Sequence, residues 1–302
     1  MTSVRTRVAV TAALATGALF ATAGLQGVVA EGRSAERTVV PASATVKKTA
    51  VKKAAAKKKK AAPKWRLVWS DEFRGRKGVR PSTAKWFSQT GDRGGWGVGG
   101  LAYYDPAQAV QNGHGRLLIT AKKNKTARKC WYGTCKYTSA RLQTSGRFTQ
   151  KYGRFAARIK FPTGKGIFPA FWLQNPNAKG GTKKYSEIDI AEVYGAHTNS
   201  ILGAAHQKKK VKDTKKVFKK PLHARYHTYG VDWTPTEVTW WVDGKAYGRM
   251  KRYKGWSFNQ PMQIIMNLQI GGNWQGPPNA ATRFPAVMAV DYVRVYERAS
   301  KK

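Results

Sequence analysis

The chain has 302 residues, with 56 Lys and Arg against 15 Asp and Glu, a formal net charge of +41. Apolar residues make up 41% and include 11 Trp, 13 Tyr and 11 Phe, enough for a large core, which excludes wholesale disorder. Two cysteines exclude a disulfide-dense mini-protein and a four-cysteine zinc site, and the length suits one domain of about 200–250 residues with non-globular ends.

Residues 1–30 read as an export signal. Arg5 and Arg7 form a basic start, Val8 to Leu25 is mostly small and apolar, and Val28-Val29-Ala30 offers a small-residue cleavage site. No later apolar run is long enough to span a bilayer, so the expected mature chain has no membrane span and is secreted, extracellular or wall-associated. Residues 31–64 change to Ala, Lys, Thr, Val and Pro without any aromatic residue. Such a stretch cannot bury enough apolar surface to order itself, so it reads as a disordered basic linker. It could tether the protein to an anionic wall or extracellular polymer, or act only as a solvated spacer.

Residues 65–298 read as one β-rich catalytic domain. Leu117 to Thr120, Arg154 to Phe161, Glu187 to Val193, Tyr229 to Trp233, Val238 to Val242, Met262 to Leu268 and Val287 to Tyr296 are short β-branched or aromatic runs. Each is bounded by turn residues, as strands are. Asp243-Gly244 predicts a tight hairpin turn. With no long amphipathic helix, the pattern predicts an all-β fold, a two-sheet antiparallel sandwich of the jelly-roll kind with a concave cleft. Lysine runs such as Lys208 to Lys210 and Lys215-Lys216 read as solvated loop charge. Cys130 and Cys135 lie in one short loop and are expected to bond to each other after export.

The chemistry concentrates in Ser186-Glu187-Ile188-Asp189-Ile190-Ala191-Glu192, where three of the chain's 15 acids fall on one apolar strand. Glu187 and Asp189 share a strand face, whereas strict alternation would turn Glu192 to the other side. A β-bulge at Ile190-Ala191 would restore parity and leave Ile188 facing the core. The two glutamates then stand roughly 13 Å apart along the backbone, at ~3.3 Å per residue. Side chains leaning inward can close that to the ~5–5.5 Å used by retaining glycosidases. In that arrangement Glu187 attacks the anomeric carbon, Glu192 protonates the leaving oxygen, and Asp189 orients Glu187. The alternatives are a calcium site or an exposed acidic strand. An exposed face would not alternate with Ile188 and Ile190, and calcium would leave the surrounding aromatics unexplained.

At these residues the chain resembles glycoside hydrolase family 16, whose signature Glu-x-Asp-x-x-Glu is matched by Glu187, Asp189 and Glu192. The likeness runs from Trp69-Ser70-Asp71-Glu72-Phe73 through Tyr137 to Leu142, Pro169-Ala170-Phe171-Trp172 and Gly271-Gly272-Asn273-Trp274 to Asp291-Tyr292-Val293-Arg294-Val295-Tyr296. Its nearest branch is the laminarinase-type bacterial β-1,3-glucanases. The resemblance implies a jelly roll, retaining endo-hydrolysis of a β-linked polysaccharide substrate such as β-1,3-glucan, and no cofactor for catalysis. It also implies sugar platforms at Trp96, Tyr103, Trp172 and Trp274, with polar readers at Arg141, His206 and Asn267. For any single Trp, core packing is an equal alternative. Trp233, Trp240 and Trp241 are assigned to structure.

The resemblance further implies a structural calcium held by Glu72, the Gly115 carbonyl and Asp291, although surface ion pairing explains both acids as well. Three departures stand out. Trp96-Gly97-Val98-Gly99-Gly100-Leu101 lacks the polar residues usual there, Phe168 replaces a Trp, and Gln269 stands where a small residue is common. Other readings of the chain are a hydrolase of an anionic or galactan polysaccharide and a non-catalytic carbohydrate-binding sandwich. The expected state is a monomer.

Overall fold

The structure is a computed structural model that describes residues 64–176, 185–207 and 210–299. The readings of residues 1–30 and of 31–64 fall, apart from Lys64, outside the described residues, as do Lys208 and Lys209.

Two large sheets pack face to face. The first has seven strands in the order Lys210–Val217, Ser200–Gln207, Ser186–Glu192, Ile167–Gln174, Gln263–Ile270, Arg141–Gln143 and Phe87–Gln89. The second has ten, with Gly153–Lys160 and Ala286–Arg298 at its centre and the hairpin of Glu237–Val242 and Lys245–Lys251 at one edge. Pairing is antiparallel except between Ala102–Tyr104 and Tyr137–Ser139. Among the described residues the only helical turns are Gly95–Gly97 and Pro106–Gln108, and no helix is long and apolar enough to cross a membrane. The all-β sandwich expected from the strand pattern is the fold observed.

Period-two alternation sorts side chains between the core and the cleft. Along Gln263–Ile270 the even positions Ile264, Met266, Leu268 and Ile270 are fully buried in the core. The odd positions Asn267 and Gln269 line the opposite face. At the predicted hairpin, Asp243 (φ 48°) and Gly244 (φ 75°) both take left-handed backbone, the geometry of a tight type I′ turn.

Two segments differ from the reading of the sequence. Ile167–Gln174 is a central strand although it contains Pro169. Proline is tolerated there because the pairing with the acidic strand begins one residue later, at Ala170, and the Pro169 carbonyl still accepts from Val193 N–H at 3.3 Å. Lys215 and Lys216 belong not to a loop but to the edge strand Lys210–Val217. Lysines are a common guard on such edges, because a charged edge resists pairing with another chain.

Candidate active site

The cleft face is set by the pairing of the acidic strand Ser186–Glu192. Glu187 stands opposite Gln174 on one side and His206 on the other; Glu192 stands opposite Ala170 and Leu202. The register shifts between Asp189 and Glu192 on both sides, so Ile190-Ala191 forms the predicted bulge. Ile188, Ile190 and Ala191 are fully buried, and Glu187, Asp189 and Glu192 all line one cleft of about 780 Å³.

The bulge is braced from the other sheet. Trp240, assigned by sequence only to packing, donates its indole N–H to the Asp189 carbonyl at 2.8 Å. Gly203 makes the approach possible, since a Cβ there would lie 2.5 Å from the Trp240 ring.

Tyr185 hydroxyl donates a short hydrogen bond to Glu187 Oε2, and Gln174 Nε2 donates to the same oxygen at 3.4 Å. His206 Nε2 lies 2.9 Å from Asp189 Oδ2 and 3.9 Å from Glu187 Oε1. The 2.9 Å contact is close but misaligned for a hydrogen bond.

Burial pushes the Glu187 carboxyl up, against the opposing pull of Tyr185, His206 and Arg141. Asp189 is raised further, by burial and then by the Glu187 charge. Glu192 is also held well above the usual carboxylate range, by burial first and then by the charges of Asp189 and Glu187. A buried carboxyl kept protonated beside a carboxylate is an acid and nucleophile pair in chemical potential. Glu187, Asp189 and His206 also present donor atoms within 4.8 Å of one another, a mixed nitrogen and oxygen set unlike the all-oxygen shell of calcium.

Most of the sequence-predicted binding residues meet here. Arg141 and Asn267 sit in the same register row as Glu192 and Ala170. The Arg141 guanidinium is held between the rings of Trp96 (4.9 Å) and Trp172 (4.7 Å), while Trp172 Nε1 donates to Asn267 Oδ1 at 2.8 Å. His206 lines the cleft, and so does Trp274, 66% exposed at the rim. Tyr103 is the exception. Its neighbour Tyr104 faces the cleft instead, and Tyr103 lies under the Arg128 guanidinium at 4.8 Å, because adjacent strand residues face opposite ways.

The glycines that replace polar residues in the Trp96 loop leave room that other side chains fill. A Cβ on Gly100 would fall 1.5 Å from Gln269 Nε2, and one on Gly99 2.4 Å from Asn273 Oδ1. Gln269, the unexpected residue on its strand, accepts a short hydrogen bond from Tyr104. Its amide therefore stands where the loop lost its own polar groups. Sequence reasoning missed Tyr104, Tyr185 and Asp213 as cleft residues. Asp213 had a signal, as the one acid within the lysine run from Lys208 to Lys220.

Cys130 and Cys135 are bonded, and their loop sets Trp131 and Tyr132 against the backbone of Gly100 and Leu101. Away from the cleft, both Glu72 oxygens are taken by the Arg294 guanidinium at 2.8 Å, and Asp291 is paired with Arg158.

The profile of the glycosyl hydrolases family 16 matches residues 103–294. The β-glucanase of Rhodothermus marinus is 36% identical over 256 residues, covering 78% of this chain and 86% of its own length. The endo-β-1,3-glucanase of Pyrococcus furiosus superposes with a TM-score of 0.73 at 35% identity, covering 79% of this chain and 97% of that one. The laminarinase catalytic domain of Thermotoga maritima MSB8 gives 0.72 at 35% identity, covering 78% and 99%. With that match and the bulged acidic strand in its cleft, the chain belongs to family 16 of the glycosyl hydrolases.

Proposed function

We propose that this glycoside hydrolase is an endo-acting enzyme that cleaves β-1,3-linked glucan by double displacement. Glu187 attacks the anomeric carbon while the Glu192 carboxyl gives its proton to the departing glycosidic oxygen. Water, deprotonated by the Glu192 carboxylate, then releases the glycosyl group from Glu187 and returns the proton to Glu192. Asp189, between them, orients Glu187, and burial together with the Glu187 charge keeps Glu192 protonated. The observation that carries this reading is the bulge that brings three carboxylates into one cleft.

Trp96, Trp172 and Trp274 serve as ring platforms in this proposal, and Arg141, Asn267 and Gln269 read hydroxyls. A neutral glucan suits the cleft better than an anionic galactan, because Glu187, Asp189, Glu192 and Asp213 all line it and Arg141 is the one arginine among its described lining residues. The names of the relatives support the same choice. Export by residues 1–30, a monomeric catalytic domain and a basic linker that holds an anionic polymer complete the reading. Calcium is not part of it. The acids expected to bind the ion are neutralised by Arg294 and Arg158, so the donor set does not fit a hard dication.

The test is product analysis on laminarin, mixed-linkage glucan, agarose and carrageenan, with Glu187→Gln as the control. Oligosaccharides released from laminarin by the wild type, and lost in the variant, support the reading. Cleavage of the galactans alone, or turnover that survives Glu187→Gln, would overturn it.

A further inference from the structure

A second open cavity, of about 650 Å³, shares no lining residue with the cleft. Arg128 lines the cavity, lies over the ring of Tyr103 and pairs with Asp105. Four cations, Lys122, Lys123, Lys125 and Arg128, line it against the single carboxylate of Asp105. Asp105 is engaged by Arg128, and none of the three lysines is in an ion pair with a described carboxylate. Phe284 and Pro285 are its apolar lining, with Phe284 stacked on Tyr137 at 5.0 Å.

The rim is pre-shaped by the disulfide loop. Asn124 Nδ2 donates to the carbonyls of Thr126 at 2.9 Å and Cys135 at 2.8 Å, and Cys135 N–H donates to the Arg128 carbonyl at 2.9 Å. These hydrogen bonds tie the segment that carries Lys125 and Arg128 to the adjoining loop closed by the Cys130–Cys135 bond. A flat aromatic ring such as Phe284 takes the C–H face of a sugar, and unpaired ammonium groups take a carboxylate or sulfate.

We propose that this cavity is a second, non-catalytic site for an acidic polysaccharide. It holds a uronate- or sulfate-bearing sugar against Phe284, with Lys122, Lys123 and Lys125 around the anionic group. The carboxylate-lined cleft repels the same chain, so the two faces sort the polymers of a mixed matrix: an acidic one to hold, a neutral one to cut.

The test uses the full chain in affinity electrophoresis through polygalacturonate, dextran sulfate or neutral dextran at near-physiological salt. One variant carries Lys122→Ala, Lys123→Ala and Lys125→Ala. A second removes equal charge from the distant exposed Lys245, Lys251 and Lys254, also to Ala. The first is expected to lose about tenfold or more in acidic-polymer affinity and the second less than about threefold, since only site charge acts at short range. Both keep wild-type turnover on neutral oligosaccharides, which shows an intact fold. Phe284→Leu, which keeps apolar volume and removes the flat face, weakens binding as well. Loss confined to polygalacturonate assigns a uronate, and loss confined to dextran sulfate assigns a sulfated sugar. Equal loss in the two triple variants, no loss in the first, or an equal requirement of the three lysines for duplex DNA would overturn the proposal.

Discussion

Glu187 and Glu192 are separated by one residue more along their own strand than are their partners Gln174 and Ala170 on one neighbour, or His206 and Leu202 on the other. That extra residue turns Glu192 to the side of the sheet that Glu187 faces. The Trp240 indole holds the Asp189 carbonyl at the start of the bulge. Trp240→Phe keeps most of the buried volume and leaves that carbonyl without its donor, at a cost of about 1–3 kcal/mol. Steady-state kinetics should show kcat falling by about tenfold or more with KM little changed, because small displacements of reacting groups are costly. An unchanged kcat in a folded variant would show that the bulge needs no such brace.

Asp213 shares a register row with Asp189 through Ala204, and its charge helps to raise Glu192. Glu192 must be protonated to act as the acid, so activity falls as pH rises through its pKa. Asp213→Asn removes a repelling charge, lowers that pKa and moves the alkaline limb of kcat/KM to lower pH. A limb that stays in place, or moves up, would contradict the assignment of Glu192 as the acid.

Tyr185 acts on the other limb. Its hydrogen bond favours the ionised Glu187 and pulls down a pKa that burial raises. Without it, Tyr185→Phe raises the Glu187 pKa and moves the acidic limb of kcat/KM to higher pH. The accompanying loss in kcat should be about tenfold, the scale of one charge-assisted hydrogen bond. A fall in kcat with no movement of the acidic limb would reduce Tyr185 to a packing role.

Chelation separates the ion-pair account of Glu72 and Asp291 from the calcium expectation. Thermal unfolding in EDTA and in millimolar calcium should give the same Tm within about a degree, since Arg294 and Arg158 already neutralise the two acids. A rise of several degrees with calcium would restore the metal.

Much of the site was legible because carboxylates on an apolar strand have few explanations. The spacing of Glu187, Asp189 and Glu192 demanded a bulge, and the bulge lies at the residues the parity argument selected. Other features were hidden for identifiable reasons. Tyr103 and Tyr104 are chemically alike, and a one-residue difference in facing decides which one reaches the cleft. Pro169 masked a central strand, and the lysines of 210–217 disguised an edge strand as a loop. Trp240, Gly203 and the Asp189 carbonyl meet only when two sheets pack, which no local pattern encodes.

The assignment of the nucleophile is tested most directly by trapping the covalent intermediate. A 2-deoxy-2-fluoro-β-laminaribioside with a dinitrophenyl leaving group bypasses the acid and slows release, so a glycosyl-enzyme accumulates. Tandem mass spectrometry of the tryptic peptide from Tyr185 to Lys208, which contains all three acids, then locates the label. The sugar should be found on Glu187. A label on Glu192 or Asp189, or complete turnover with inversion and no adduct, would contradict the account.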